Sequence, residues 1–188
     1  MRLIFAPLLL KRRPCQKWPA CRQAGRKPAH EISLWRFVNI KINKSMKLIT
    51  YTDGGSRGNP GPSAIGAVIT DEHGNMIKEY AEKIENGTNN EAEYKAIIFA
   101  LKKIKALYGK EKTSQIEVQM RMDSELAFKQ LTGEYKIESE KIKPLFIDVW
   151  NLKLDYKNVI FKHIPREQNK RADFILNEAF DKQNDKLF

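Results

Sequence analysis

The 188-residue chain has only two cysteines, Cys15 and Cys21, and both precede residue 46. Everything beyond that point folds without disulfides, which excludes a disulfide scaffold and suits a reducing, cytoplasmic setting. No apolar run approaches the roughly 20 residues that a membrane-spanning helix needs, so no membrane partner is expected. No internal repeat is present. Acidic residues are almost missing from residues 1–45, where Glu31 stands alone against 11 Lys and Arg, a net of +10. Residues 46–188 hold 23 basic and 22 acidic residues, a net of +1. The overall charge of +11 therefore belongs almost wholly to the first segment. Polyanion binding by the remainder must rest on local patches.

The first 45 residues differ from the rest in pattern as well. An apolar start, Leu3 to Leu10, is interrupted by Pro7 and followed by Lys11-Arg12-Arg13. That run is short for a signal peptide and its basic residues lie on the wrong side. Cys15, Cys21 and His30 lack the fourth ligand and the tight spacing of a structural zinc site. Trp18 and Trp35 among basic residues could stack on nucleic acid. The segment reads as a disordered extension, or as read-through upstream of a start at Met46. Two regions are expected: an extension over 1–45 and one folded domain over 46–188.

From Met46 the periodicities sharpen. Lys47–Asp53, Ala64–Asp71 and Met76–Ile84 read as three strands of an antiparallel meander, with His73-Gly74-Asn75 as a turn and Glu85–Thr88 as a loop. Asn90–Tyr108 carries Ala96, Ile97, Ala100, Leu101 and Ile104 at helical spacing, with Thr88-Asn89-Asn90 as its cap and Gly109 as its stop. Gln115–Asp123 alternates Ile116, Val118, Met120 and Met122, which predicts a strand with one apolar face. Helices follow over Ser124–Leu131 and Ser139–Asp155, the second with Ile142, Leu145, Phe146, Val149, Trp150 and Leu154 as its apolar face. Asn158–Ile164 is the last strand and Lys170–Lys182 the closing helix, with Ala172, Ile175, Leu176 and Ala179 inward. The order β-β-β-α-β-α-α-β-α implies an α/β fold: a five-stranded mixed sheet, three antiparallel strands then two parallel, flanked by helices on both faces.

Four carboxylates fall at element boundaries: Asp53 and Asp123 where strands end, Glu93 and Asp173 where helices open. Each has an ordinary alternative. Asp53-Gly54 between apolar runs is also a hairpin signal. Asp123 could be a helix cap. Glu91 and Glu93 could each serve the helix dipole, but Glu93 shares a side with Ala96, Ile97 and Ala100 and leans toward the packed sheet. In a mixed α/β sheet such positions converge on one edge. Clustered carboxylates repel one another without cations, and oxygen-only ligands suit Mg²⁺ or Mn²⁺. Two such ions support phosphodiester hydrolysis without a covalent nucleophile.

Four motifs resemble, in order and spacing, those of ribonuclease H type 1: Tyr51-Thr52-Asp53-Gly54-Gly55-Ser56, Thr88-Asn89-Asn90-Glu91-Ala92-Glu93-Tyr94, Asp123-Ser124-Glu125-Leu126, and His163 through Asp173. The resemblance implies a ribonuclease H-like fold and endonucleolytic cleavage of the RNA strand of RNA–DNA hybrids with two Mg²⁺ ions, or Mn²⁺. It implies Asp53, Glu93, Asp123 and Asp173 as metal-binding carboxylates, and so chooses Glu93 over Glu91. It gives His163 a part in proton transfer or product release. Backbone groups of Gly54, Gly55 and Ser56, with the amides of Asn89 and Asn90, are suited to reading 2′-hydroxyls across a minor groove. Thr88 resembles a residue that holds a DNA phosphate, and Asn169 is a further substrate contact.

The chain also departs from some family members. Thr132–Lys143 is too short and mixed in charge for a basic helical protrusion, and Asn86 stands where some carry an arginine. A monomer without an obligate protein partner is expected. The rival readings are a non-catalytic hybrid-binding module and a transposase- or resolvase-like nuclease on the same fold.

Overall fold

The computed structural model describes residues 45–181. Except for Ser45, the N-terminal extension lies outside the described residues, as does Lys182 at the expected end of the last helix. Five strands form one sheet: β1 (Met46–Ser56), β2 (Gly61–Asp71), β3 (Met76–Gly87), β4 (Ile116–Met122) and β5 (Asn158–His163). Their spatial order is β3-β2-β1-β4-β5. β1 pairs antiparallel with β2 and parallel with β4, and β4 pairs parallel with β5. The mixed sheet is the one that the sequence pattern implies.

The helices are α1 (Asn89–Tyr108), α2 (Lys110–Thr113), α3 (Glu125–Leu131), α4 (Ile142–Lys153) and α5 (Lys170–Asp181). α1 lays Ile97, Leu101 and Ile104 over Leu48 and Ile69 of the sheet, and α4 adds Ile142 and Val149 to the same core. The other face is covered by α5, whose Ala172, Ile175, Leu176 and Phe180 meet Ala64 and Val68. Two apolar layers thus clamp one sheet, and the inward residues of α1, β4 and α5 follow their sequence periodicities.

Several boundaries differ from the sequence reading, each for a local reason. β1 runs on through Gly54 and Gly55 to Ser56, because β2 continues opposite it, Gly55 facing Ala64 and Ser56 facing Ser63. Asp53 is therefore inside a strand and not at its end. β3 absorbs most of the expected 85–88 loop, since Gly87 pairs with Gly61. The short α2 was not anticipated; it follows Gly109, whose φ of 78° ends α1 and whose carbonyl accepts from the Thr113 N–H at 3.1 Å. β4 stops at Met122, leaving Asp123 just beyond it. α4 begins at Ile142 and not Ser139, with Pro144 in its first turn, where a missing N–H is harmless. Trp150 and Leu154, expected on its buried face, are 51% and 72% exposed, so the apolar stripe is wider than the surface it meets. Among the described residues no helix lies between α3 and α4, in keeping with the missing protrusion, and none is long and apolar enough to cross a membrane.

Candidate active site

The last pair of the β1–β4 ladder joins Thr52 to Met122. The next residue along each chain segment is an aspartate, Asp53 still within β1 and Asp123 just past the end of β4. This is where the chain, having gone outward from β1 through β2 and β3, crosses to the other side of the sheet. Such switch points are the usual ligand site of open α/β sheets.

Two glycines bring the other carboxylates in. A Cβ on Gly54 would lie 2.2 Å from the carbonyl atoms of Ala92 and 2.5 Å from the Glu93 nitrogen. The first turn of α1 therefore rests directly on β1 and carries Glu93 with it. Gly66 stands opposite Asp53 on β2, and a Cβ there would lie 2.7 Å from the Ala172 carbonyl oxygen. α5 thus crosses β2 at backbone contact and carries Asp173. Helices on opposite faces each use one bare backbone position, α1 at Gly54 of β1 and α5 at Gly66 of the neighbouring β2.

The outcome is a cleft of about 340 Å³ whose lining includes all four carboxylates. One oxygen from each of Asp53, Glu93 and Asp123 lies within 4.8 Å of the others. Asp173 lies outside that group. Its Oδ1 accepts from Arg166 Nη2 at 3.2 Å. Burial, then the charges of Asp123 and Asp173, push the Asp53 carboxyl up to about 7; Arg166 and the Gly54 N–H oppose this. Burial, then Asp53 and Asp123, push Glu93 well above the usual carboxylate range. Glu93 Oε2 is buried and has no hydrogen-bond partner among the described residues. A cluster that holds protons so strongly and leaves a buried oxygen unpartnered is suited to a cation. Its donors are all hard oxygens, which fit Mg²⁺ or Mn²⁺. Oxygens on opposite sides of an ion held at about 2.1 Å are about 4 Å apart, well within the observed span.

Glu91 has the other role left open for the pair. Its Oε2 accepts from the Thr88 N–H and hydroxyl, both at 2.8 Å, while the Thr88 hydroxyl accepts from the Glu91 N–H at 3.3 Å. This capping box leaves Glu93 free to face the cleft. Asn89 Oδ1 accepts from the Ser56 N–H at 2.7 Å, tying the end of β1 to the start of α1.

Gly54, Gly55, Ser56 and Asn89 line the cleft with the carboxylates; Thr88, Asn90 and His163 do not. His163 ends β5 exposed, its Nε2 3.2 Å from the Asp123 carbonyl oxygen and its ring 6.0 Å from that of Phe128. The expectation for Asn169 needs correction. It is 1% exposed and donates to the Thr52 carbonyl at 3.0 Å and to Asp123 Oδ1 at 2.8 Å, so its amide is not free to contact substrate. Arg166 was missed as a functional residue. In sequence it is one charge in a polar loop, and only the fold shows it facing Asp53, Glu93 and Asp173 on three elements.

A family profile described as "Reverse transcriptase-like" matches residues 51–179. A ribonuclease HI of Halobacterium salinarum is 34% identical over 142 residues, covering 76% of this chain and 68% of that protein. The bifunctional protein Rv2228c of Mycobacterium tuberculosis is 34% identical over 137 residues, covering 72% of this chain, which spans only 36% of that larger protein. Among solved structures, LC11-RNase H1 in complex with an RNA/DNA hybrid superimposes with a TM-score of 0.69 at 47% identity, covering 72% of this chain and 98% of that one.

Proposed function

This chain belongs to the ribonuclease HI family, and from that premise we propose that it hydrolyses the RNA strand of RNA–DNA hybrids at the Asp53–Glu93–Asp123–Asp173 cleft. The observation that carries the reading is the convergence of one oxygen each from Asp53, Glu93 and Asp123 within 4.8 Å, with Glu93 Oε2 buried and unpartnered among the described residues. Divalent ions, Mg²⁺ or Mn²⁺ and two per site, would be held by these three residues and by Asp173. Bound there, they would supply an activated water and a stabilised leaving oxygen.

The chain's own groups do the rest. Gly54, Gly55, Ser56 and Asn89 present backbone and amide groups along the cleft, where 2′-hydroxyls of an RNA strand can be read. Asn90, at the start of α1, would add its amide to the reading of the 2′-hydroxyls, and Thr88 would hold a phosphate of the DNA strand. His163, exposed at the end of β5 with its Nε2 3.2 Å from the Asp123 carbonyl oxygen, would carry a proton between the cleft edge and solvent. A monomer in a reducing cytoplasm suits a domain whose residues 46–188 contain no cysteine.

The test is cleavage of a strand-labelled RNA–DNA hybrid with Mg²⁺, Mn²⁺ or EDTA, by the wild type and Asp53→Asn. Metal-dependent cuts in the RNA strand alone, lost in the variant, are the expected result. Hybrid binding without cleavage would replace this reading with that of a binding module. Cuts in the DNA strand would point to a transposase- or resolvase-like nuclease.

A further inference from the structure

We propose that Asn169 is the positioning residue of the metal centre, locking together the chain segments that carry Asp53, Asp123 and Asp173. The inference rests on the reading that these carboxylates hold the cation. Asn169 reaches all three segments. Its Nδ2 donates to the carbonyl of Thr52, the residue before Asp53, and to Oδ1 of Asp123 itself. Its backbone carbonyl accepts from the Asp173 N–H at 3.1 Å, opening α5. It thus ties β1, the residue just beyond β4 and α5 together beneath the cleft.

The chemistry requires an amide. Both partners of Nδ2 are acceptors, and both N–H bonds are used. A flipped amide would set an oxygen against two oxygens, so the donor pattern fixes the orientation. Asn169 Oδ1 is buried without a partner, so the second half of the amide is left unsatisfied while its donors are used. A residue that only started the helix could be Asp or Ser as readily as Asn. Here Asp would place an anion against the Thr52 carbonyl and the Asp123 carboxylate. The bond to Oδ1 also fixes the rotation of the Asp123 carboxylate, which is how outer groups tune a metal ligand.

The experiment is Mn²⁺ titration by calorimetry, with thermal melting, on the wild type, Asn169→Ala and Asn169→Asp. Loss of an outer partner costs metal affinity by about 10- to 100-fold. Both folded variants should show that loss, with Asn169→Asp worse than Asn169→Ala. A folded variant of either kind that keeps wild-type Mn²⁺ affinity overturns the assignment. A wild type that binds no Mn²⁺ overturns the metal-centre reading itself, and this inference with it. Should neither variant fold, Mg²⁺ titration of the uniformly ¹⁵N-labelled wild type followed by NMR decides. The Asn169 side-chain amide should exchange slowly and shift with the same midpoint as the Asp123 backbone amide. An amide that exchanges freely, or ignores Mg²⁺, overturns the proposal.

Discussion

Gly54 and Ala92 meet backbone to backbone: a Cβ on Gly54 would lie 2.2 Å from the Ala92 carbonyl carbon and oxygen. Neither a strand nor a helix N-terminus can yield by that distance without moving as a unit. Gly54→Ala should therefore lift α1 from β1, lower stability by about 3 kcal/mol or more, and displace Glu93. Gly55→Ala is the control, since its nearest neighbours are Leu176 side-chain carbons at 3.7 and 4.0 Å. Thermal melts should separate the two clearly; similar melting temperatures would contradict the contact.

Stability without metal should depend on pH with an unusual sign. The Asp53 carboxyl is raised from 3.8 to about 7 in the fold. Between those values the folded chain holds a proton that the unfolded chain has released. Stability is therefore lost as pH rises from about 4 to 7, by about 1.4 kcal/mol per unit while Asp53 alone titrates. Glu93 shifts in the same direction. In EDTA the melting temperature should fall from pH 5 to pH 8. Asp53→Asn should flatten that slope and melt higher than the wild type at pH 8. Added Mg²⁺ should restore the wild type and leave the variant little changed.

Glu91 and Glu93, two residues apart, should behave oppositely. Disrupting the Thr88–Glu91 capping box, by Thr88→Ala or Glu91→Ala, should cost about 1 kcal/mol and leave α1 in place. Glu93→Gln should stabilise the metal-free chain, because it removes a buried carboxylate that faces Asp53 and Asp123. It should also remove cleavage. Chemical denaturation beside a hybrid-cleavage assay measures both effects.

Arg166 is a cation already present among the acids, bonded to Asp173 at 3.2 Å. Its charge also opposes the upward shifts of Asp53 and Glu93. Removing it should deepen the negative potential of the cleft. Arg166→Ala is expected to bind Mn²⁺ several-fold more tightly in calorimetry and to melt lower in EDTA. As an exposed pair it should add little to the stability of the metal-loaded protein.

The sequence carried the sheet and all its helices but the short α2, because periodicity is a local signal. The alternation of Ile116, Val118, Met120 and Met122 and the helical spacing of Ile97, Leu101 and Ile104 correspond to observed burial. What stayed hidden was set by partners distant in the chain. Gly54 looked like a strand breaker and proved to be a docking point, since the reason for its bareness is Ala92. Asn169 looked like a surface amide, and nothing nearby in sequence shows Thr52 or Asp123 above it. Arg166 resembled any basic loop residue. Trp150 and Leu154 fit an amphipathic pattern whose outer edge meets no second surface.

The four carboxylates span residues 53 to 173 and arrive on β1, on α1, just beyond β4 and on α5. During synthesis the first three carboxylates emerge long before the helix that brings the fourth and the Asn169 tie. A growing chain thus stays inert toward nucleic acid chemistry until its last element docks. Cleavage then serves as a readout of completed folding, and truncations that spare Asp53, Glu93 and Asp123 but loosen α5 should be silent as nucleases.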